Sequence, residues 1–145
     1  MGAVYRWPRR SLRVARDLLK RPPLTRRRAG SYWENIAEAF LNNRGLRLLH
    51  RNFSCRLGEI DLVMEDGDTV VFIEVKYRKS NTHGSGADAV DIHKQHRLSR
   101  AAAFYLAVNP ARAEQFCRFD VVSIDPDKDE QDINWIKNAF YSTIE

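Results

Sequence analysis

Gly58-Glu59-Ile60-Asp61-Leu62-Val63-Met64-Glu65-Asp66-Gly67-Asp68-Thr69-Val70-Val71-Phe72-Ile73-Glu74-Val75-Lys76-Tyr77-Arg78 is the stretch on which the fold of this chain turns. Asp66-Gly67 between two alternating apolar runs is a strong hairpin signal, and it predicts strands over 58–65 and 69–78. A turn symmetric about Asp66-Gly67 sets Glu59 opposite Glu74 and Asp61 opposite Phe72. Because side chains alternate across a strand, Ile60, Leu62, Met64, Val71, Ile73 and Val75 then share one apolar face that must be buried.

The opposite face gathers Glu59, Asp61, Glu74, Lys76 and Arg78 at the end away from the turn. Like charges facing one another in a sheet destabilise it, by up to about 1 kcal/mol per pair, so something has to offset them. A hard divalent cation such as Mg²⁺ prefers carboxylate and water oxygens, and Lys76 adds a positive charge nearby. Taken one at a time, these residues are equally well read as the solvated side of a half-exposed strand. Their concentration opposite one another is what points to a site.

Upstream, Ser31 and Glu34 have capping-box spacing and Gly45 suits a left-handed helix end, which predicts a helix over 31–44 with Trp33, Ile36, Ala37, Phe40 and Leu41 as its apolar stripe. Residues 46–52 read as a short strand. Downstream, residues 88–108 have helical character with Val90, Leu98, Ala101, Ala102 and Tyr105 inward, and Phe119–Ile124 is a strand rich in β-branched residues. Ile133–Phe140 reads as an edge strand followed by a turn of helix. The order of elements implies an α/β domain with a mixed sheet flanked by helices.

At 145 residues, 43% hydrophobic and 30% charged, the chain has room for one core and holds no apolar run long enough to cross a membrane. Two cysteines, Cys55 and Cys117, are too few for a disulfide framework, and no secretory signal is visible, so reduced thiols and a cytoplasmic location are expected. Residues 1–30 carry ten Arg and Lys against one Asp, a net +9 of the chain's +5, leaving the remainder acidic. Residues 1–29 are therefore expected to be a basic extension of the domain formed by 30–145. It suits a polyanion partner through phosphate neutralisation, or it is a solvated appendage that includes residues upstream of the physiological start.

Gly58-Glu59-Ile60-Asp61-Leu62, followed by Phe72-Ile73-Glu74-Val75-Lys76 and Arg78, resembles the Asp…Glu-x-Lys core of the restriction-endonuclease-like superfamily. More specifically it is similar to the YraN-like bacterial proteins, which are related in fold to archaeal Holliday-junction resolvases. The resemblance extends over about 30–141 and takes in Glu34, Lys94, Arg97, Arg118-Phe119-Asp120-Val121-Val122 and Asn138-Ala139-Phe140. It implies a metal-dependent nuclease acting on DNA, on branched or otherwise structured substrates, with Asp61, Glu74 and Glu59 as ligands of Mg²⁺ or Mn²⁺. Lys76 would orient or deprotonate the attacking water, and Glu34 would complete the acidic cluster unless it serves only as the capping partner of Ser31.

Lys94 lies four residues from both Val90 and Leu98, on the inward side of its helix. It either reaches a phosphate at the site mouth or snorkels to water. Arg97 and Arg78 are the further nucleic-acid-binding candidates, although Arg97 is equally at home on a solvated face. His93 and His96 have helical metal-binding spacing but no third ligand. A fold does not fix an activity, so two other functions stand beside the nuclease: a non-catalytic nucleic-acid-binding protein, and an adaptor for a DNA-processing partner. A homodimer is left open.

Overall fold

The computed structural model describes residues 32–77, 90–125 and 133–144. The extension 1–29, Ser31, Arg78 and the loop around Gly84–Gly86 lie outside the described residues. The elements are α1 (Tyr32–Asn42), β1 (Arg47–Cys55), β2 (Gly58–Asp66), β3 (Thr69–Tyr77), α2 (Ile92–Val108), a 3₁₀ turn (Pro110–Arg112), β4 (Phe116–Ile124) and β5 (Ile133–Phe140). The five strands form one sheet in the order β1-β2-β3-β4-β5. All neighbours are antiparallel except β3 and β4, which are parallel. A parallel pair needs a long crossover connection, and α2 lies in it.

Each face of the sheet is covered by a helix. Ala37 and Leu41 of α1 pack with Leu62, Met64, Val71, Ile73, Val75, Val122 and Ile124. Leu98, Ala101, Ala102, Tyr105 and Leu106 of α2 pack on the other face against Val63, Val70, Phe72, Cys117, Phe119 and Val121. Both cysteines are free and buried. The α/β class with a mixed sheet and flanking helices is the observed architecture, consistent with a restriction-endonuclease-like fold. Double coverage changes one expectation: the face that holds Glu74 also holds the buried Val63, Val70 and Phe72, so it is a second core and not a solvated surface.

The hairpin closes differently from the expected turn. Asp66 pairs with Thr69, Glu65 with Val70, Val63 with Phe72 and Leu62 with Ile73, so the two-residue loop is Gly67-Asp68. Gly67 takes the first central position with φ +62°, the requirement of a II′-type hairpin, whereas a loop of Asp66-Gly67 would have put a non-glycine residue there. The register is thus displaced by two residues. A shift of two preserves the faces of the strands but changes which residues meet.

A second departure lies in β2 itself. Ile60 packs in the α2-side core with Val63, while Leu62 and Met64 pack on the α1 side, so strict alternation is lost at Asp61. The neighbouring strand slips at the same level. Arg51 turns to α1, pairing with Glu38 and Asn35, while both His50 and Phe53 lie against Tyr105 of α2. The residue between, Asn52, has φ +51°, a left-handed conformation that Asn tolerates better than most residues. Register between β1 and β2 is also irregular between Leu48 and His50.

Other boundaries differ modestly. Strand β1 runs three residues beyond its expected end and β4 starts three residues earlier. Helix α2 begins at Ile92 because the Asp91 side chain caps it, accepting the Lys94 N–H at 2.9 Å. Ile133–Phe140 is a strand throughout, with no helical turn, and its bend is made by Asn138 at φ +52°.

Candidate active site

The β2–β3 ladder ends at Leu62–Ile73. One step further, where Asp61 would stand across from Glu74, the strands no longer exchange the ladder bonds. Asp61 fills the gap with its side chain: Oδ2 accepts the N–H of Val75 at 2.8 Å. Asp61 is 1% exposed and Glu74 4% exposed, so two carboxylates are buried at adjoining levels of adjacent strands. Burial of charge at this density demands partners.

Glu74 has one in Lys94, whose Nζ forms an ion pair with Glu74 Oε1. Lys94 therefore rests on the candidate catalytic carboxylate, a destination the helical spacing alone does not distinguish. Lys76, two residues along β3 from Glu74, shares its side of the strand by alternation and is half-buried. The site as built sets two carboxylates against two lysines. The electrostatic offset that spacing alone assigns to a metal is met in part by Lys94.

Glu34 is buried at the start of α1. Its neighbour Trp33 stacks on Tyr77, the residue after Lys76, at 5.9 Å between ring centroids, which anchors the N-terminal end of α1 at the C-terminal end of β3. Glu59 does not face Glu74. It pairs with Ser54 of β1, on the far side of the slip at Asp61, because the hairpin register is displaced and β2 has left β3 by that level. Arg97 is exposed, and what it presents to β2 is its main chain: a Cβ placed on Gly58 would come within 2.9 Å of the Arg97 carbonyl oxygen. Gly58 is thereby the close-approach point between β2 and α2. Arg78 is outside the described residues.

Among the described residues, no group of three or more His, Cys, Asp and Glu side chains converges to hold a metal ion. A structural Zn²⁺ takes a closed cage of mostly nitrogen and sulfur ligands. Mg²⁺ differs, since one or two carboxylates suffice and water and substrate phosphate complete its shell. Asp61 and Glu74 match that requirement in donor chemistry.

Two polar clusters away from the carboxylates escape sequence reading. Asp120, almost fully buried, accepts from Arg118 Nε at 3.0 Å, Trp135 Nε1 at 3.0 Å and the Asn138 N–H at 2.9 Å, and Arg118 also reaches Asp66 Oδ2 at 2.9 Å. Burial opposes the charge on Arg118, but its bonds to Asp120 and Asp66 prevail and push its pKa up. Glu65 is held by Arg47, Gln115 and Arg112, which bring its carboxyl from 4.5 down to about 2. Both clusters lie toward the turn end of the hairpin; the first ties β2, β4 and β5 together, the second β1, β2 and the segment from the 3₁₀ turn to Gln115. Their members are distant in sequence, so only the motif Arg118-Phe119-Asp120 hinted at one of them.

Among the described residues, no helix is long and apolar enough to cross a membrane. The sequence model described as "Uncharacterised protein family UPF0102" matches residues 33–124, the span from α1 through β4. A UPF0102 protein of Stutzerimonas stutzeri strain A1501 is 49% identical over 114 residues, which cover 79% of this chain and 95% of that protein. A UPF0102 protein of Nitrosococcus oceani is 46% identical over 118 residues, 81% of this chain and 95% of the relative. One from Colwellia psychrerythraea is 44% identical over 112 residues, covering 77% and 87%.

Proposed function

We propose, from the premise that this chain belongs to the uncharacterised protein family UPF0102, that it is a metal-dependent nuclease acting on DNA, with branched or otherwise structured DNA as the substrate class to test first. The observation that carries this reading is the buried pair Asp61 and Glu74 at adjoining levels of two strands, with Lys94 on one of them and Lys76 on the same side of β3. Buried carboxylates do not stabilise a sheet of this kind, and apolar residues would pack better there.

In this proposal Asp61 and Glu74 would hold a Mg²⁺ or Mn²⁺ ion; Glu34 on α1 and Glu59, paired with Ser54 beyond the slip, are the remaining carboxylate candidates and would act through water. When bound, such an ion supplies Lewis acidity toward the phosphate and lowers the pKa of water at the site. Lys76 orients a water and accepts its proton or stabilises charge on the phosphate oxygens. Buried carboxylates beside it keep the reacting volume polar but poor in bulk water, which strengthens each of these interactions. Arg97, Arg78 and the basic residues of 1–29 supply phosphate contacts that position the duplex without reading its sequence. The boundary at residue 30 belongs to the same proposal.

The test is incubation of the purified protein with linear, single-stranded, flap and four-way-junction DNA in Mg²⁺, Mn²⁺ or EDTA. Cleavage that needs a divalent ion and vanishes in Glu74→Ala, with DNA binding kept, supports the enzyme. One observation favours a second reading, a nucleic-acid-binding protein without turnover: the two carboxylates are already engaged by Lys94 and by the Val75 N–H. Salt-sensitive binding with no cleavage in any metal or on any DNA form would decide for it, and absence of DNA binding would leave an adaptor role.

A further inference from the structure

We propose that Lys94 is a built-in counter-ion, seated on Glu74 until a divalent cation replaces it, so that cation binding and release of the Lys94 ammonium toward substrate phosphate are a single event. This rests on the metal-dependent reading above and adds a switch to it.

The two partners of the ion pair are unequally free to move. The Glu74 side chain is 4% exposed and belongs to a central strand that pairs with β4 at its level. The Lys94 side chain is 32% exposed and sits in the first turn of α2 on a flexible four-carbon stem. A cation held by the Glu74 carboxylate would compete with the Lys94 ammonium for it, because two positive charges at contact distance repel. The side chain with a path to water is the one that leaves.

The helix itself is not free to follow. Asp91 caps it through the Lys94 N–H, Gln95 Nε2 donates to the Val90 carbonyl at 2.9 Å, and the Arg97 main chain is packed against Gly58. Motion is thereby confined to the lysine stem. Asp61 stays in place through the exchange, since the Val75 N–H that it accepts is a neutral donor and does not compete for charge. Displaced from Glu74, the ammonium would remain on a partly exposed stem at the same site, available to a substrate phosphate. The lysine thus offsets the carboxylate charge at rest and contributes to phosphate binding only once the cation is in.

The full-length protein tests this through cation affinity and DNA affinity, neither of which requires turnover. Mn²⁺ binding is read from the electron paramagnetic resonance of free Mn²⁺, and DNA binding from fluorescence anisotropy in EDTA and in Ca²⁺. Removing the competitor in Lys94→Met should tighten Mn²⁺ binding by about two- to fivefold, the equivalent of one partly exposed ion pair. The same variant should weaken DNA binding in Ca²⁺ and leave it unchanged in EDTA. Glu74→Gln frees Lys94 without any cation, so it should bind DNA several-fold more tightly than wild type in EDTA, and Glu74→Gln/Lys94→Met should lose that gain. This arm keeps the inference testable should Lys94→Met fold poorly. Equal or weaker Mn²⁺ binding by a folded Lys94→Met, or no gain in Glu74→Gln, overturns the exchange while leaving the metal site intact. Absence of Mn²⁺ binding in the wild type and all variants overturns the metal-dependent reading and the exchange with it.

Discussion

Replacing Asp61 with Ala should destabilise the fold by about 1–2 kcal/mol, a result that separates structural from chemical roles at this site. Its carboxylate Oδ2 is the acceptor of the Val75 N–H where the β2–β3 ladder has ended, and the residue is 1% exposed. Truncation leaves that N–H without its partner in a buried position. Loss of a hydrogen bond to a charged acceptor costs roughly 1.5–3 kcal/mol, and orphaning a buried donor about 1–3 kcal/mol, two views of the same loss. Relief of repulsion with Glu74 returns up to about 1 kcal/mol. The net of about 1–2 kcal/mol corresponds to a drop in Tm of roughly 4–8 °C for a domain of this size. Asp61→Asn keeps a side-chain oxygen as acceptor and sheds the charge, so it should stay within about 0.5 kcal/mol of wild type by the same reasoning. Urea unfolding followed by far-ultraviolet circular dichroism measures both, with a shifted midpoint and an unchanged slope expected for Asp61→Ala. Wild-type stability in Asp61→Ala, or equal damage from Asn and Ala, would refute the assigned hydrogen-bonding role. Both variants should lose cleavage if Asp61 holds the cation, so Asn is the cleaner test of chemistry.

At Gly58, Ala would set a Cβ 2.9 Å from the Arg97 carbonyl oxygen, which should cost about 1–3 kcal/mol by overpacking; Gly45→Ala meets nothing within 4 Å and serves as the comparison, paying only for its backbone at φ +92°. Thermal melts showing the same loss at both positions would argue against the close approach. Glu65 keeps its carboxyl near 2 in the fold against an ordinary 4.5, so its stabilising contribution is complete above about 4.5 and is lost as pH falls toward 2. Acid titration of stability should show this limb shrink in Glu65→Gln by about 1 kcal/mol, a modest value because the arginine partners are solvent-screened. Lys76→Ala should slow cleavage by roughly 100-fold or more while shifting DNA affinity little, as steady-state kinetics beside anisotropy would reveal. Deleting residues 1–29 should leave the unfolding transition nearly unchanged and weaken DNA binding at low salt. Loss of cooperative unfolding in the truncated chain would place the domain boundary elsewhere.

Alternation along 58–77 was enough to identify the hairpin, and because the register error was two residues, Glu74 and Lys76 kept their face. The error arose because Asp66-Gly67 and Gly67-Asp68 are both competent turn pairs, and only the demand for positive φ at the first central position separates them. The slip at Asp61 is illegible by periodicity, since it depends on Asn52 adopting φ +51° on a neighbouring strand. The inward side of α2 was readable from its spacing, but the pairing of Lys94 with Glu74 depends on how close α2 comes to β3, which no local pattern encodes. Asp120 presents the same difficulty in stronger form. Its donors come from β4 and β5, and the bend at Asn138 that brings one of them in was hidden in a segment whose pattern fits strand and helix alike.

The two outer strands share a device. Strand β1 is interrupted by Asn52 at φ +51° and β5 by Asn138 at φ +52°, and each meets its inner neighbour with a register irregularity. An unbroken outer strand is a template on which a second chain can add its own, and kinks of this kind deny it the straight row of donors and acceptors that such growth requires. Among the described residues, both borders of the sheet are therefore blunted as templates. A fibril propagated strand upon strand would first have to straighten both asparagines.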